Sequence, residues 1–181
     1  GCKMKLNNIV FDFDSFAAEM AKLRNDKHFD YLVTIIGEDF GEEGLGCIYI
    51  LENTDTNERI SVKTLAKQIE DNYVISSVFG LWKSANLLER EVYDFLGIKF
   101  LGHPDMRRLY LRHDFKGYPL RKNFKATEGY SLEDDVEPEY GLEYSLDEDG
   151  NLTEKKNALF TDDEFVVNIG PQHPSTHGVL R

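Results

Sequence analysis

The chain predicts an α+β fold, a small mixed sheet packed against helices and followed by an extended C-terminal arm. Three observations carry it. Apolar, β-branched runs with strand periodicity fill residues 31–64, a helical period replaces them over 82–96, and an acidic stretch poor in aliphatic residues begins at 126.

Near the N-terminus, Asp14 or Ser15 can cap a short amphipathic helix in which Phe16, Met20 and Leu23 recur at helical spacing. Tyr31 to Ile36 and Gly46 to Leu51 are apolar and flank a loop-like Gly37 to Gly44, which predicts a hairpin. Thr54 to Asn57 reads as a turn. In Arg59 to Thr64, Ile60, Val62 and Thr64 alternate with Arg59, Ser61 and Lys63, as in a strand with one face in the core. Leu65 to Asp71 is compatible with a short helix or irregular chain.

From Trp82 to Leu96 the period is helical. Leu87, Leu88, Val92, Phe95 and Leu96 share an apolar arc, while Glu89, Arg90 and Asp94 fall outside it, with Arg90 and Asp94 at pairing distance. Glu91 lies at the border of the arc, where an unpaired carboxylate is costly. The expectation is that Arg107 or Arg108 meets it in a structural ion pair. Gly97 ends the helix. Beyond it the chain mixes glycine, proline, aromatic and basic residues without sustained period, predicting extended chain with turns at Gly102 to Asp105 and Gly117 to Pro119.

The 181 residues, 41% hydrophobic, suit one domain plus a tail. This divides the chain into a domain at 1–125, an acidic linker or arm at 126–164, and a short start of a further part at 165–181. The arm is expected to order on a partner, with Tyr130, Tyr140, Tyr144 and Phe160 as anchors, and Phe165 to Ile169 suits a strand. Mean hydropathy is -0.45, and no apolar stretch approaches the roughly 20 residues that span a bilayer. The first residues lack the apolar core of a secretory signal, so the cytoplasm is the expected compartment. Cys2 and Cys47 are too few for a disulfide framework or a zinc ribbon.

Net charge is -12, and its location is informative. Residues 1–125 hold 18 Lys/Arg against 19 Asp/Glu, whereas 126–164 hold 14 acids and only Lys155 and Lys156. Within the first part, residues 99–125 carry eight cations against Asp105 and Asp114, a net of +6. Phe100, Tyr110, Phe115 and Tyr118 interleave with those cations, a pattern that also suits nucleic acid. The adjoining polyanionic segment competes for the same cations, so no nucleic-acid partner is expected and protein docking accounts better for both charge blocks.

No glycine-rich phosphate loop and no C-x-x-C occurs, which excludes the usual nucleotide, phosphate and iron–sulfur sites from this chain. His173 and His177 have the spacing of a helical zinc pair. Pro174 disfavours a helix there and the glutamate of H-E-x-x-H is missing, so no metal is expected. Two histidines in a Gly/Pro loop can instead donate hydrogen bonds, or a proton, to a polar headgroup. Ordinary loop histidines without a ligand remain the bland alternative.

Ser76 to Phe124 resembles the C subunit of the proton-pumping NADH:quinone oxidoreductase, respiratory complex I. The match is dense at Trp82, Ala85-Asn86, Glu89-Arg90-Glu91, Asp94, Gly97-Ile98, Gly102-His103-Pro104-Asp105, Arg107-Arg108 and Pro119-Leu120-Arg121-Lys122. Phe29 to Val33 resembles that protein's first strand. Asn168 to Arg181, with its GPQHPSTHGVLR string, resembles the opening of the D subunit, so the order of the two points to a fused C/D subunit.

The resemblance implies a scaffold domain that binds no cofactor itself, in a complex that holds NADH, FMN, iron–sulfur clusters and a quinone such as ubiquinone. It implies partners among the peripheral-arm subunits, especially the iron–sulfur subunit beside the quinone pocket. Membrane association would come only through the complex, on the cytoplasmic side of the bacterial inner membrane. By the same resemblance His177 contacts the quinone headgroup with His173 beside it. Glu89, Arg90, Glu91, Asp94, His103, Arg107, Arg108 and Arg121 would be interface or structural residues. The family's tyrosine partner for the headgroup would lie beyond Arg181, so this chain is expected to lack a complete quinone site and to show no turnover alone. The alternative is the N-terminal part of a membrane-bound nickel–iron hydrogenase or formate hydrogenlyase large subunit, which shares the C-like domain. The intact histidine string resembles the quinone enzyme more closely.

Overall fold

The structure, a computed structural model, describes residues 7–113, 115–125 and 140–158. Two mixed sheets and two helices enclose one apolar core, which agrees with the predicted α+β class.

The first sheet has the order β1-β4-β3-β2. Strands β2 (Tyr31–Asp39) and β3 (Leu45–Asn53) form the expected hairpin, and β4 (Glu58–Leu65) pairs antiparallel with β3. The alternation in β4 is realised: Ile60, Val62 and Thr64 are buried. β1 (Asn7–Phe11), a short run with Ile9, Val10 and Phe11 that lies outside the expected elements, completes the sheet by pairing parallel with β4.

α1 (Phe13–Asn25) follows directly and buries Phe16 and Met20 against the sheet, with the Phe16 and Tyr49 ring centroids 5.1 Å apart. α2 (Ala85–Leu96) lies against β2. Contact is close there because Gly37 has no side chain: a Cβ would stand 2.6 Å from Leu96 Cδ1 and 2.8 Å from Val92 Cγ1. Trp82, one turn before the helix, donates its indole N–H to the carbonyl of Phe29 at 3.2 Å and ties the helix entry to the first sheet.

The second sheet, order β5-β6-β7-β8-β9, differs from expectation. The stretch compatible with a helix contains β5 (Lys67–Ile69), which pairs with β6 (Asn72–Ser76) across a tight turn. β7 (Ile98–Leu101) runs parallel to β6 after crossing through α2. The acidic segment contributes a hairpin, β8 (Tyr140–Leu146) and β9 (Leu152–Ala158), to this same sheet. The sheet therefore continues past residue 125. An acid-rich hairpin that cannot fold by itself is ordered by strand addition to the chain's own domain, through Leu101 and Tyr144. Tyr144, one of the expected anchors, is buried there, while Tyr140 remains part exposed. Phe160, Tyr130 and the strand expected at Phe165 to Ile169 lie outside the described residues.

Candidate functional site

α2 carries three charged residues that organise everything around it. Glu89 and Asp94 are wholly buried, and Arg90 is half-buried between them. A buried carboxylate must find donors or stay protonated. The two acids resolve that demand differently.

Glu89 turns back toward the β6–α2 connection. It accepts the Ser77 hydroxyl and the Val78 N–H, each at 2.7 Å, and so fixes the chain entering the helix. Burial still pushes its carboxyl up to about 7, against the opposing effect of those two bonds. His103 Nε2 lies 4.0 Å from the Glu89 Oε2, and burial moves His103 down, toward the neutral ring. Its Nδ1 accepts the Asp105 N–H at 3.0 Å, so the ring proton sits on Nε2, which donates to the Asn86 carbonyl at 3.1 Å. Through that bond to Asn86, with Glu89 beside it, His103 joins α2 to the turn after β7.

Asp94 is satisfied by donors. Its Oδ2 accepts three successive amides, Leu109 at 3.1 Å, Tyr110 at 2.7 Å and Leu111 at 2.9 Å. Its Oδ1 takes Arg108 Nη1 at 3.0 Å. The other guanidinium nitrogen, Nη2, donates to the carbonyls of Phe115 and Gly117, both at 3.0 Å. Arg90 adds bonds from Nε and Nη2 to the carbonyls of Arg107 and Arg108. Arg107 pairs with Asp105 at 2.7 Å, and Asp105 Oδ1 in turn accepts the Leu142 N–H of β8 at 3.2 Å. A loop without periodic structure thus acquires a fixed path, because the backbone groups it cannot pair internally are met by side chains of α2 and its own arginines.

The C-terminus of α2 is closed by the same loop. Gly97 adopts a left-handed φ of 72° and its N–H bonds the Tyr93 carbonyl, while Leu120 N–H reaches Phe95 O at 3.1 Å and Arg121 Nε reaches Leu96 O at 2.6 Å. Arg121 also lies over the Tyr118 ring at 4.6 Å and the Tyr73 ring at 5.3 Å. Beside it, Asp39 at the end of β2 accepts the Lys122 and Gly41 amides, which hold its carboxyl below the usual range.

Of the residues expected from the sequence, Glu89, Arg90, Asp94, His103, Arg107, Arg108 and Arg121 meet around α2. Glu91 does not join them. It is exposed, and the arginines expected to meet it are engaged by Asp105 and Asp94. The buried face of the helix is rotated from the one predicted: Ala85, Glu89, Val92, Tyr93, Asp94 and Leu96 point inward, and Leu87 is 56% exposed. Apolar periodicity misplaces the face because two inward positions are acids whose partners lie far along the chain. Ser77 and Asp39 escape sequence reasoning, since a residue that binds distant groups carries no local pattern. His173 and His177 lie outside the described residues. Among the described residues, no group of three or more His, Cys, Asp or Glu is placed to hold a metal, and no helix is long and apolar enough to cross a membrane.

Residues 9–130 match the family model described as the respiratory-chain NADH dehydrogenase, 30 Kd subunit. The chain belongs to this family. It is 49% identical to the C/D subunit of NADH-quinone oxidoreductase from Phocaeicola vulgatus over 164 residues, covering 90% of the chain and 31% of the relative. The separate C subunit of the same enzyme from Chloroherpeton thalassium is 38% identical over 124 residues, 67% of the chain and 51% of the relative. The chain therefore spans about a third of the length of the C/D-type relatives it matches. Among solved structures, the trypsin-resistant fragment of Nqo5 superposes with a TM-score of 0.50 at 33% identity, over 54% of this chain and 80% of that one. A chain of an archaeal membrane-bound sulfane sulfur reductase complex shares the fold, with a TM-score of 0.59 at 20% identity, over 76% of this chain and 89% of that one.

Proposed function

We propose that the chain is the N-terminal portion of a fused C/D-type subunit of a proton-translocating NADH:quinone oxidoreductase, and that its C-like domain is a scaffold of the peripheral arm. The observation that carries the reading is the use made of Glu89, Arg90 and Asp94 on α2. The 30 Kd subunit family match covers them, and in the structure they bind loop backbone rather than line a reactive cleft. Residues so committed hold shape. They leave electron transfer, NADH, FMN and the iron–sulfur clusters to other subunits. On this reading the chain by itself turns nothing over, and it sits on the cytoplasmic side of the inner membrane through its neighbours. The iron–sulfur subunit beside the quinone pocket is the expected neighbour, and His177, with His173 next to it, would meet the quinone headgroup in the complete protein.

The test is a pull-down of the full-length tagged protein from detergent-solubilised membranes of its source, with partners identified by mass spectrometry. Iron–sulfur and membrane subunits of the quinone oxidoreductase are the expected partners. Recovery of hydrogenase maturation factors with nickel, or of no respiratory subunit, would overturn the assignment.

A further inference from the structure

We propose that Tyr110 and Leu120, flanking Phe95 at the end of α2, form an anchor patch that docks a partner protein whose surface offers an apolar pocket rimmed by carboxylates. The inference rests on the assembly reading above and names the surface through which it acts.

Tyr110 is 66% exposed and Leu120 is 59% exposed, the two largest values after Val10 for large apolar side chains among the described residues. Both residues are tied to one helical residue, Tyr110 by its ring and Leu120 by its backbone. The Tyr110 ring stacks on Phe95 with centroids 5.8 Å apart and planes 15° from parallel, and the Leu120 N–H donates to the Phe95 carbonyl. Leu87, two turns earlier on α2, is also exposed. Grouped exposed apolar side chains mark interaction surfaces more often than scattered ones.

The patch is also rigidly presented. Tyr110's amide is clamped by the buried Asp94, as are its neighbours on each side, and Leu120's amide is clamped by the end of α2. An aromatic anchor held in position loses little freedom on binding, which is the property of residues that dominate interface affinity.

Charge selects the occupant. Lys122 is exposed, with its amide fixed by Asp39, and the part-buried Arg121 stands next to it; Asp39 is the acid near both, but neither makes an ion pair within 4.0 Å of a carboxylate among the described residues. The stretch 99–125 that carries the patch has a net charge of +6 by sequence, with Arg107 and Arg108 committed to Asp105 and Asp94. A second copy would bring the same cations to the same face across a two-fold axis, which disfavours self-pairing. A carboxylate-rimmed pocket on another protein complements both the apolar anchors and the cation beside them.

The experiment uses the full-length protein in its own membranes. The double variant Tyr110→Ser/Leu120→Ser is expected to lower partner recovery at least tenfold, and Lys122→Glu several-fold, with melting of the purified chain unchanged. Tyr110→Phe is expected to keep full recovery, which separates anchoring from misfolding. Wild-type recovery from the double variant overturns the patch alone, whereas failure of the wild type to recover any respiratory subunit overturns the reading beneath it. A wild-type dimer that the double variant dissolves would overturn the proposed partner in favour of a second copy.

Discussion

A single nitrogen of Arg108, Nη1, bonds both the side-chain and the main-chain oxygen of Asp94, at 3.0 and 2.9 Å. The helix end and the loop are thereby joined by a charge pair in which Asp94 is fully buried and the Arg108 side chain is 11% exposed. Burying two charges costs desolvation that the pairing must offset. Here backbone groups meet the remaining carboxylate oxygen and the second guanidinium nitrogen, so the pair acts as a nucleus around which residues 107–111, 115 and 117 are arranged.

Asp94→Asn is expected to break this nucleus although it preserves shape. With the amide oxygen facing the three backbone N–H groups, the amide nitrogen faces Arg108, donor against donor; flipped, it faces the amides. Loss of a partner in a buried pair costs about 3–5 kcal/mol. Hydrogen exchange at Leu109, Tyr110 and Leu111 should accelerate far more than exchange in β3 and β4, and equal protection in both proteins would refute the assignment.

Glu89 gives the chain a pH-dependent stability of defined sign. Its carboxyl is raised from about 4.5 in the unfolded chain to about 7 in the folded one, so the folded state holds the proton more tightly. The stability this confers is complete below about 4.5 and is lost as pH rises through 7. Glu89→Gln removes the titration. The stability of the variant relative to wild type should therefore be greater at pH 8 than at pH 4, by on the order of 3 kcal/mol. Denaturant unfolding at the two pH values reads the difference; a constant difference would show that the carboxyl does not titrate in this window.

Gly97→Ala should be destabilising for two reasons that add. The residue has a left-handed φ of 72°, and a Cβ there would stand 2.6 Å from Arg121 Nη2 and nearer still to the Tyr118 ring. The backbone contribution alone is about 1 kcal/mol, so a loss well above that is expected in thermal or denaturant unfolding. A variant within experimental error of wild type would mean that the loop does not close over the helix end.

The acidic hairpin is anchored by Tyr144. This ring is buried and covered by Lys99 Nζ at 4.3 Å, and its strand meets β7 at Leu101. Tyr144→Ala should cost about 3–5 kcal/mol at a well-packed aromatic site. The loss should be regional: amides of 140–158 exchange faster while β2, β3 and β4 stay protected. Uniform acceleration across both sheets would contradict the view that the hairpin is an added element.

What is legible in the sequence follows from which interactions are local. The β2–β3 hairpin, the alternation in β4 and the stop at Gly97 are readable because period, turn and cap lie within a few residues. β1 is not, since its strand partner is β4, some fifty residues on, in parallel register. The hairpin of 140–158 is hidden by its acidity, which argues correctly against independent folding but is silent about pairing with β7. Around α2, the resemblance names the residues and the structure supplies their work. Periodicity errs at Glu89 and Glu91, where the buried acid is the one with Ser77 and Val78 as donors and the exposed one needs no cation.

On the proposed reading Glu89, Arg90 and Asp94 of α2 shape a docking scaffold and take no part in chemistry. The most direct measurement introduces Asp94→Asn into the full-length protein in its own membranes and compares the amount of assembled complex with NADH:quinone activity per assembled complex. The scaffold account predicts that the assembled complex falls while activity per complex stays near wild type. A normal quantity of complex with lost activity per complex would contradict it.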